Sequence, residues 1–312
     1  MYLTIAFYQF ITLDNKNSIQ EKIQIFCGVN NIKGTILLAD EGINGTISGR
    51  ENNIRNFLQF VKKESFLSGI FSQLEHKESW ATKNPFYRMK VRLKKEIVAL
   101  GVDGVRPTKK VGKYVKPEDW NNLISDPNTI IIDTRNNYEV DIGTFKNAIN
   151  PNIATFRELP NFVENNLNPK TRKKIAMFCT GGIRCEKATS LMIKKGFQDV
   201  YHLKGGILKY LETIDKDKSL WEGECFVFDE RVAVTHGLNE GKYDQCYACR
   251  HPLSPHEMNS SYYIKYISCP YCYNKLTDKK KSSVIERQKQ IELAKLRGEV
   301  HIGNQLNRNE NE

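Results

Sequence analysis

Residues 174–185, Lys174-Ile175-Ala176-Met177-Phe178-Cys179-Thr180-Gly181-Gly182-Ile183-Arg184-Cys185, decide how this chain is read. The run Lys174–Phe178 predicts a short buried strand. From Arg184 onward Ala188, Leu191 and Met192 recur at helical spacing, and Gly196 marks a C-terminal stop. A cysteine at a strand end, followed by two glycines and a helix start, has a chemical meaning. The glycines let successive backbone N–H groups turn inward around the sulfur. The helix N-terminus adds partial positive charge, and Arg184 adds a full one. All three favour thiolate over thiol, so Cys179 is predicted to be a nucleophile with a depressed pKa. That prediction also needs a sulfur that solvent can reach.

The flanking sequence places this loop in a parallel α/β domain, residues 117–220. Lys116-Pro117-Glu118-Asp119-Trp120 starts a helix, and Thr129-Ile130-Ile131-Ile132 is the continuous apolar run of a strand buried on both faces. It ends in Asp133-Thr134-Arg135, with Glu139 one turn further on. Val200-Tyr201-His202-Leu203 is another strand, closing on Lys204-Gly205-Gly206. Strands and helices alternating in this way imply a parallel sheet, whose ligands sit at the carboxyl ends of the strands, where Asp133, Cys179 and Gly205 fall. Asp133 and Arg135 are expected to form a structural ion pair or to anchor the loop region, and His202 to be a satisfied core or edge histidine.

Residues 1–102 read as a βαββαβ unit, the ferredoxin-like pattern. Strands are expected over Tyr2–Phe10, Gly34–Ala39, Asn44–Ser48 and Tyr87–Leu100. Helices are expected over Ser18–Cys27 and Glu51–Lys63, with Asp40-Glu41-Gly42 as a turn. Residues 103–116 read as a basic linker.

The 312 residues carry a net charge of +11, and it is unevenly spread: eleven Lys or Arg lie between Lys83 and Lys116 against two acids, Glu96 and Asp103. Lys90, Arg92, Lys94, Lys95, Arg106, Lys109 and Lys110, interleaved with Phe86, Tyr87 and Tyr114, form the kind of stripe a polyphosphate partner calls for. No apolar run approaches the ~18 residues of a membrane span, and the N-terminus lacks the marks of a secretion signal. A cytoplasmic protein with no membrane partner is expected.

Four of the eight cysteines form two C-x-x-C pairs, Cys246/Cys249 and Cys269/Cys272, separated by nineteen residues. This spacing suits a tetrahedral, structural zinc site within a module spanning 221–277. His251 and His256 lie between the pairs as possible substitute ligands, and Cys27 and Cys225 read as core. Trp221–Val234 reads as two strands, Val284–Leu296 as helix-prone and Asn304–Glu312 as a disordered end, within a polar tail over 278–312.

Cys179 and Arg184 are separated by four residues, one fewer than in phosphate-holding tyrosine-phosphatase loops, so the cradle suits an extra sulfur atom on the cysteine better than a phosphate. No dinucleotide fingerprint is present and no organic cofactor is recognised. His76-x-Glu78 is explained by a strand face, and Pro270 falls inside its cysteine pair, unlike the zinc deaminase pattern.

The Asp133/Arg135 strand end, the loop from Cys179 and the Leu203–Gly206 exit resemble the rhodanese superfamily. Together with Asp40-Glu41-Gly42-Ile43-Asn44-Gly45-Thr46 and Gly223-Glu224-Cys225-Phe226-Val227-Phe228-Asp229, in this order, they resemble the tRNA uridine hydroxylase family up to about residue 277. The family more often has glutamate at the Asp40 position. The resemblance implies installation of 5-hydroxyuridine at the tRNA wobble position with molecular oxygen as co-substrate. It also implies an essential Cys179, with Arg184 in its loop and Cys185 as the second cysteine of the motif. Six residues after Cys179, Cys185 is placed either to resolve a persulfide or sulfenate or to sit in the helix core. The residues alone give a nucleophilic cysteine and a basic stripe and stop short of oxidation; a small-molecule sulfurtransferase working through a Cys179 persulfide, without RNA, therefore stands beside the reading that the resemblance implies, a tRNA-modifying oxidoreductase that holds the anticodon arm on the basic stripe.

Overall fold

In the computed structural model, which describes residues 1–63 and 69–298, seven elements build the N-terminal part. They are β1 (Tyr2–Phe10), α1 (Lys16–Val29), β2 (Lys33–Ala39), β3 (Gly42–Gly49), α2 (Glu51–Lys63), β4 (His76–Ala81) and β5 (Met89–Leu93). The sheet order is β4-β1-β3-β2-β5, antiparallel except where β5 pairs with β2. Alternate residues divide its two faces. Leu3, Ile5 and Phe7 of β1 and Ile36 and Leu38 of β2 pack against Ile19 and Ile23 of α1 and Ile54, Phe57 and Val61 of α2. Thr4, Ala6 and Tyr8 of β1, with Thr35 and Leu37 of β2, point the other way and are left uncovered by helices. Gly42 makes the β2–β3 turn at φ +141°, where a Cβ would lie 2.0 Å from the Gln9 carbonyl oxygen.

The fold is ferredoxin-like, but the fourth strand of the unit is not the basic run. It is β4, His-Lys-Glu-Ser-Trp-Ala, an edge strand with polar groups on both faces and hence no apolar alternation to read. The basic run supplies a fifth strand only over Met89–Leu93. The chain then leaves the sheet, because Leu100 and Val105 pack into the second core.

That core surrounds a parallel sheet of order β6-β10-β9-β7, from β6 (Lys113–Val115), β7 (Thr129–Asp133), β9 (Lys174–Phe178) and β10 (Val200–Leu203). The helices are α3 (Pro117–Ile124), α4 (Asn137–Val140), α5 (Leu159–Asn166), α6 (Ile183–Lys194) and α7 (Gly206–Thr213), with β8 (Gly143–Phe145) between α4 and α5. Along β9, Ile175 and Met177 face one apolar layer while Ala176 and Phe178 face the other, which is why the run is continuously apolar. Strand β6 lies inside the stretch read as linker. Three residues long, at an edge, with Tyr114 51% exposed, it gives no hydrophobic signal.

His202 is buried in β10, its ring 4.3 Å from that of Tyr114, but it is not satisfied: neither ring nitrogen makes a well-formed hydrogen bond, and burial pushes its pKa down to about 4.

β11 (Trp221–Gly223) pairs with β8, and β12 (Cys225–Phe226) pairs with β13 (Ala233–Val234). Trp221, Cys225, Val227 and Val234 all enter the second core, so this hairpin belongs with the parallel sheet and not with the cysteine pairs that follow. β14 (Asp244–Gln245) and β15 (Pro252–Leu253) pair beside a small cluster of Cys246, Leu253, Cys269 and Cys272. α8 (Asp278–Leu296) ends the described chain; the expected disordered end, 304–312, lies outside the described residues. Among those residues no helix is long and apolar enough to cross a membrane.

Candidate active site

The loop after β9 turns on two glycines from different segments. Gly182, at φ +101°, caps α6 and donates its N–H to Cys179 Sγ at 3.1 Å. Gly206, at φ +67°, brings the start of α7 against the loop: the N–H groups of Ile207 and Leu208 donate to the carbonyls of Cys179 and Thr180, both at 3.0 Å. A Cβ at Gly206 would lie 2.5 Å from the Cys179 carbonyl oxygen, so the Leu203–Gly206 exit clamps the Cys179 loop. Burial raises the Cys179 pKa, but the Cys185 thiol, the Arg184 charge and the N–H groups of Cys185 and Gly182 outweigh it. The sulfur therefore ionises well below an ordinary thiol.

Arg184 does not serve the sulfur alone. Its guanidinium is a fork on Glu139, Nη1 to Oε1 at 2.5 Å and Nη2 to Oε2 at 2.8 Å, and Nη2 also reaches Thr180 Oγ1 at 3.2 Å. Glu139 is fully buried; burial raises its pKa, and the Arg184 charge more than reverses this. It is fixed by the capping box of α4, where Asn136 N–H donates to Oε1 at 3.1 Å. Sequence reasoning did not assign Glu139 to the site. Its available signal was Asn136 three residues ahead of a glutamate, which names a helix start but no partner.

Asp133 and Arg135 form the structural pair, 2.6 Å apart with both side chains 0% exposed. Cys185 is fully buried with its sulfur 3.6 Å from Thr134 Oγ1. Burial and the adjoining Cys179 sulfur push its thiol well up, so it stays protonated as a donor to Cys179.

The sequence called for a solvent-facing sulfur, and here the structure differs: Cys179 is 1% exposed. The cause is the N-terminal sheet, whose helix-free face is pressed onto the loop. Lys77 of β4 donates from Nζ to the Gly181 carbonyl at 2.9 Å and lies over the Tyr8 ring; Tyr8 of β1 donates to Glu186 at 3.0 Å. Tyr114 of β6 donates to the same carboxylate at 2.9 Å. Lys187 of α6, side chain 3% exposed, holds the contact from behind by pairing with Glu41 at 2.8 Å and Glu96 at 2.5 Å.

Beside the loop the two parts enclose a cleft of ≈ 830 Å³. Its lining includes Asn44, Gly45 and Thr46 from the first stretch singled out in the sequence, Thr180, Gly181 and Arg184 from the second, and Val227, Phe228 and Asp229 from the third. Six basic side chains line it, among them Lys77, Lys94, Lys95 and Arg157, against the three acids Glu78, Glu96 and Asp229, so it carries an excess of positive charge. The basic stripe is divided. Lys94 and Lys95 reach this cleft, Lys90 lines a different one, and Arg92, Arg106, Lys109 and Lys110 are exposed but line neither.

The four cysteines of the C-x-x-C pairs come together, with ligand atoms within 4.8 Å of one another. Sulfur separations of 3.8 Å (Cys246–Cys272), 3.6 Å (Cys249–Cys269) and 3.7 Å (Cys269–Cys272) match the edge of a tetrahedron with metal–sulfur bonds of about 2.3 Å. The group can hold a metal ion. His251 instead stacks on Tyr271 at 3.6 Å, and His256 is not part of the group.

Residues 2–97 match the family described as UPF0176 acylphosphatase like domain, and residues 116–213 match the rhodanese-like domain family. A protein of Teredinibacter turnerae named tRNA uridine(34) hydroxylase is 54% identical over 302 residues, covering 97% of this chain and 93% of that one. Among solved structures, a rhodanese-like domain from Anabaena is 19% identical over 35% of this chain and 78% of its own, with a TM-score of 0.30. A human single-domain sulfurtransferase is 22% identical over 33% and 99%, with a TM-score of 0.29. At these scores neither structure bears on the site.

Proposed function

Because the chain belongs to the tRNA uridine(34) hydroxylase family of enzymes, we propose that it hydroxylates the wobble uridine of tRNA to 5-hydroxyuridine, in the cleft beside Cys179. The observation that carries this reading is convergence: three sequence stretches, 40–46, 179–185 and 223–229, contribute to the walls of one cationic cleft.

In this reading the target base leaves its stack and enters the cleft, with its phosphates met by Lys94, Lys95 and Arg157. Lys77 and Tyr8 must move off the loop for a pyrimidine ring to reach the sulfur. The thiolate then adds to C6, and the C5–C6 π pair passes to C5 and O4 as an enolate. C5 takes an oxygen atom derived from molecular oxygen. Loss of the C5 proton and departure of the thiolate restore the ring. The second oxygen atom leaves as water, taking two electrons from an external reductant and two protons. Arg184 and the Gly182 N–H stabilise the thiolate as attacking and leaving group, and the protonated Cys185 holds it in place. The four-cysteine group is read as a structural zinc site, since four thiolates leave no open position for chemistry.

The test is mass spectrometry of tRNA nucleosides from a strain lacking this gene and any parallel pathway, complemented with wild type or Cys179→Ser. Wild type is expected to restore 5-hydroxyuridine and the variant to leave it at background; equal levels in both end the reading. The tight Cys179 cradle equally accommodates sulfur transfer without RNA. Thiocyanate formation from thiosulfate and cyanide, untouched by Lys94→Gln/Lys95→Gln, would select that alternative.

A further inference from the structure

Phe86, Phe228 and Asp229 line the cleft beside Cys179 on one side and, on the other, a second and larger cleft of ≈ 1080 Å³. The second cleft forms where the β5 edge of the first sheet, the four-cysteine module and α8 meet, and none of the reaction steps uses it.

Its charges are unbalanced. Arg88, Lys90 and Lys275 line it with no acidic partner among the described residues. Lys90 is surrounded by like charge: burial, then Arg88, Arg92 and Arg250, all act to lower its pKa. The acids present are mostly engaged. Asp229 pairs with Arg231 at 2.6 Å, while Glu230 accepts from the hydroxyls of Tyr87 at 2.9 Å and Tyr247 at 3.1 Å, fixing two rings at the rim. Five basic side chains, Arg88, Lys90, Arg250, Lys275 and Arg287, line the cleft against Asp141, Asp229 and Glu230, and with Asp229 taken by Arg231 the excess of positive charge leaves room for an anion.

The rings name the kind of anion. Tyr247 and Tyr266 lie 5.1 Å apart, His251 stacks on Tyr271, and Phe228 is 58% exposed between the two clefts. Arg250 and Tyr266 are both held in the left-handed region, at φ +70° and +67°, where bulky residues seldom sit. Backbone strain of this kind is retained where the surroundings impose it, and it clusters at ligand sites. Cations that track a backbone, with aromatic faces between them, suit single-stranded nucleic acid, whose unstacked bases every ring can accept. A duplex offers no free base faces, and the volume exceeds that of one nucleotide.

We propose that this second cleft binds the single-stranded nucleotides flanking the target uridine in the anticodon loop, making the four-cysteine module an RNA-binding element. The inference rests on the tRNA reading above and adds where the rest of the loop lies.

The test measures binding of a 17-nucleotide anticodon stem–loop RNA to the full chain by fluorescence anisotropy over a range of salt, with hydroxylation of whole tRNA followed in parallel. Arg88→Gln/Lys90→Gln/Lys275→Gln is expected to bind more weakly and to flatten the log K versus log salt slope by about 2, roughly 0.7 per lost phosphate contact. Tyr266→Gly, which relieves the strained backbone, is expected to lose about 5- to 100-fold in affinity with its slope unchanged, while melting no lower than wild type. Lys170→Gln/Lys173→Gln, exposed charges elsewhere, serves as the charge control and is expected to bind as wild type does. If the triple variant keeps wild-type affinity, slope and hydroxylation, the inference is overturned and the proposed function stands. If wild type neither binds the RNA nor hydroxylates tRNA, the proposed function falls and the inference falls with it.

Discussion

Glu139→Gln separates what holds the site together from what activates it. In the native protein the Arg184 guanidinium, 9% exposed, has a two-bond fork on a carboxylate that is 0% exposed. The substitution keeps the shape and removes the charge. Leaving one member of a buried ion pair without its partner costs about 3–5 kcal/mol, whereas replacing both by apolar groups is close to neutral. Glu139→Gln should therefore lose about 3 kcal/mol or more at neutral pH, and Glu139→Met/Arg184→Met, apolar at both positions, should recover most of it. The chemistry runs the opposite way. In the single variant the Cys179 thiolate becomes the remaining anion for Arg184, so the thiol ionises lower still; in the double variant the cation is gone and the thiol moves back up towards about 8.5. The pH dependence has a definite sign. Cys179 has a depressed folded pKa, so its contribution to stability is complete above the unfolded thiol value and is lost as pH falls through the folded one. Glu139 also has a depressed folded pKa, so the wild-type pair is lost as pH falls through that value, and the deficit of Glu139→Gln should be full at neutral pH and narrow as Glu139 of the wild type protonates. Denaturant titration at several pH values gives the stabilities, and the pH dependence of iodoacetamide alkylation at Cys179 gives the ionisation. A loss below about 1 kcal/mol in the single variant, or a double variant as unstable as the single, would refute the reasoning.

Lys77→Ala should speed alkylation of Cys179 severalfold at pH 9, where the thiol is ionised in both proteins, because Lys77 covers the loop; an unchanged rate means something else shields the sulfur. Gly182→Ala should cost about 1–2 kcal/mol, since φ is +101° and the added Cβ would lie 2.9 Å from Tyr8 Oη; it should also raise the Cys179 pKa by displacing the N–H that meets the sulfur, and calorimetry with alkylation kinetics reads both. Metal analysis of the purified protein should find about one equivalent of zinc. A strong chelator should remove it with loss of structure around 246–272 and retention of the parallel sheet, seen by hydrogen exchange, and full protection after metal removal would show that the four cysteines need no ion.

The local pieces were legible because their signals are local. Tyr2–Phe10, Glu51–Lys63 and Lys174–Phe178 form the expected elements to the residue, since alternation, helical spacing and a doubly buried run each leave a period in the chain. β4 and β6 left none. Both are edge strands, one polar on both faces and the other three residues long, and pairing with β1 or β10 is what makes them strands. The same division runs through the site. Cys179, its glycines and Arg184 could be read from spacing within six residues, and the four cysteines from two pairs of three-residue separations. Glu139, Lys77 and Tyr8 could not, being 40, 102 and 171 residues from Cys179 in the chain.

An ionisable cysteine in a backbone cradle, a four-cysteine group and an excess of positive charge were written in the chain, because each follows from residue type and short-range geometry. That a glutamate shares the arginine and that the first sheet covers the sulfur emerges only once the chain is folded. Folding also sends Lys94 and Lys95 to one cleft and Lys90 to another, and leaves Arg92, Arg106, Lys109 and Lys110 lining neither. These are matters of packing between surfaces far apart in the chain, and burial, which sets the energy of every charge at the site, exists only once those surfaces meet.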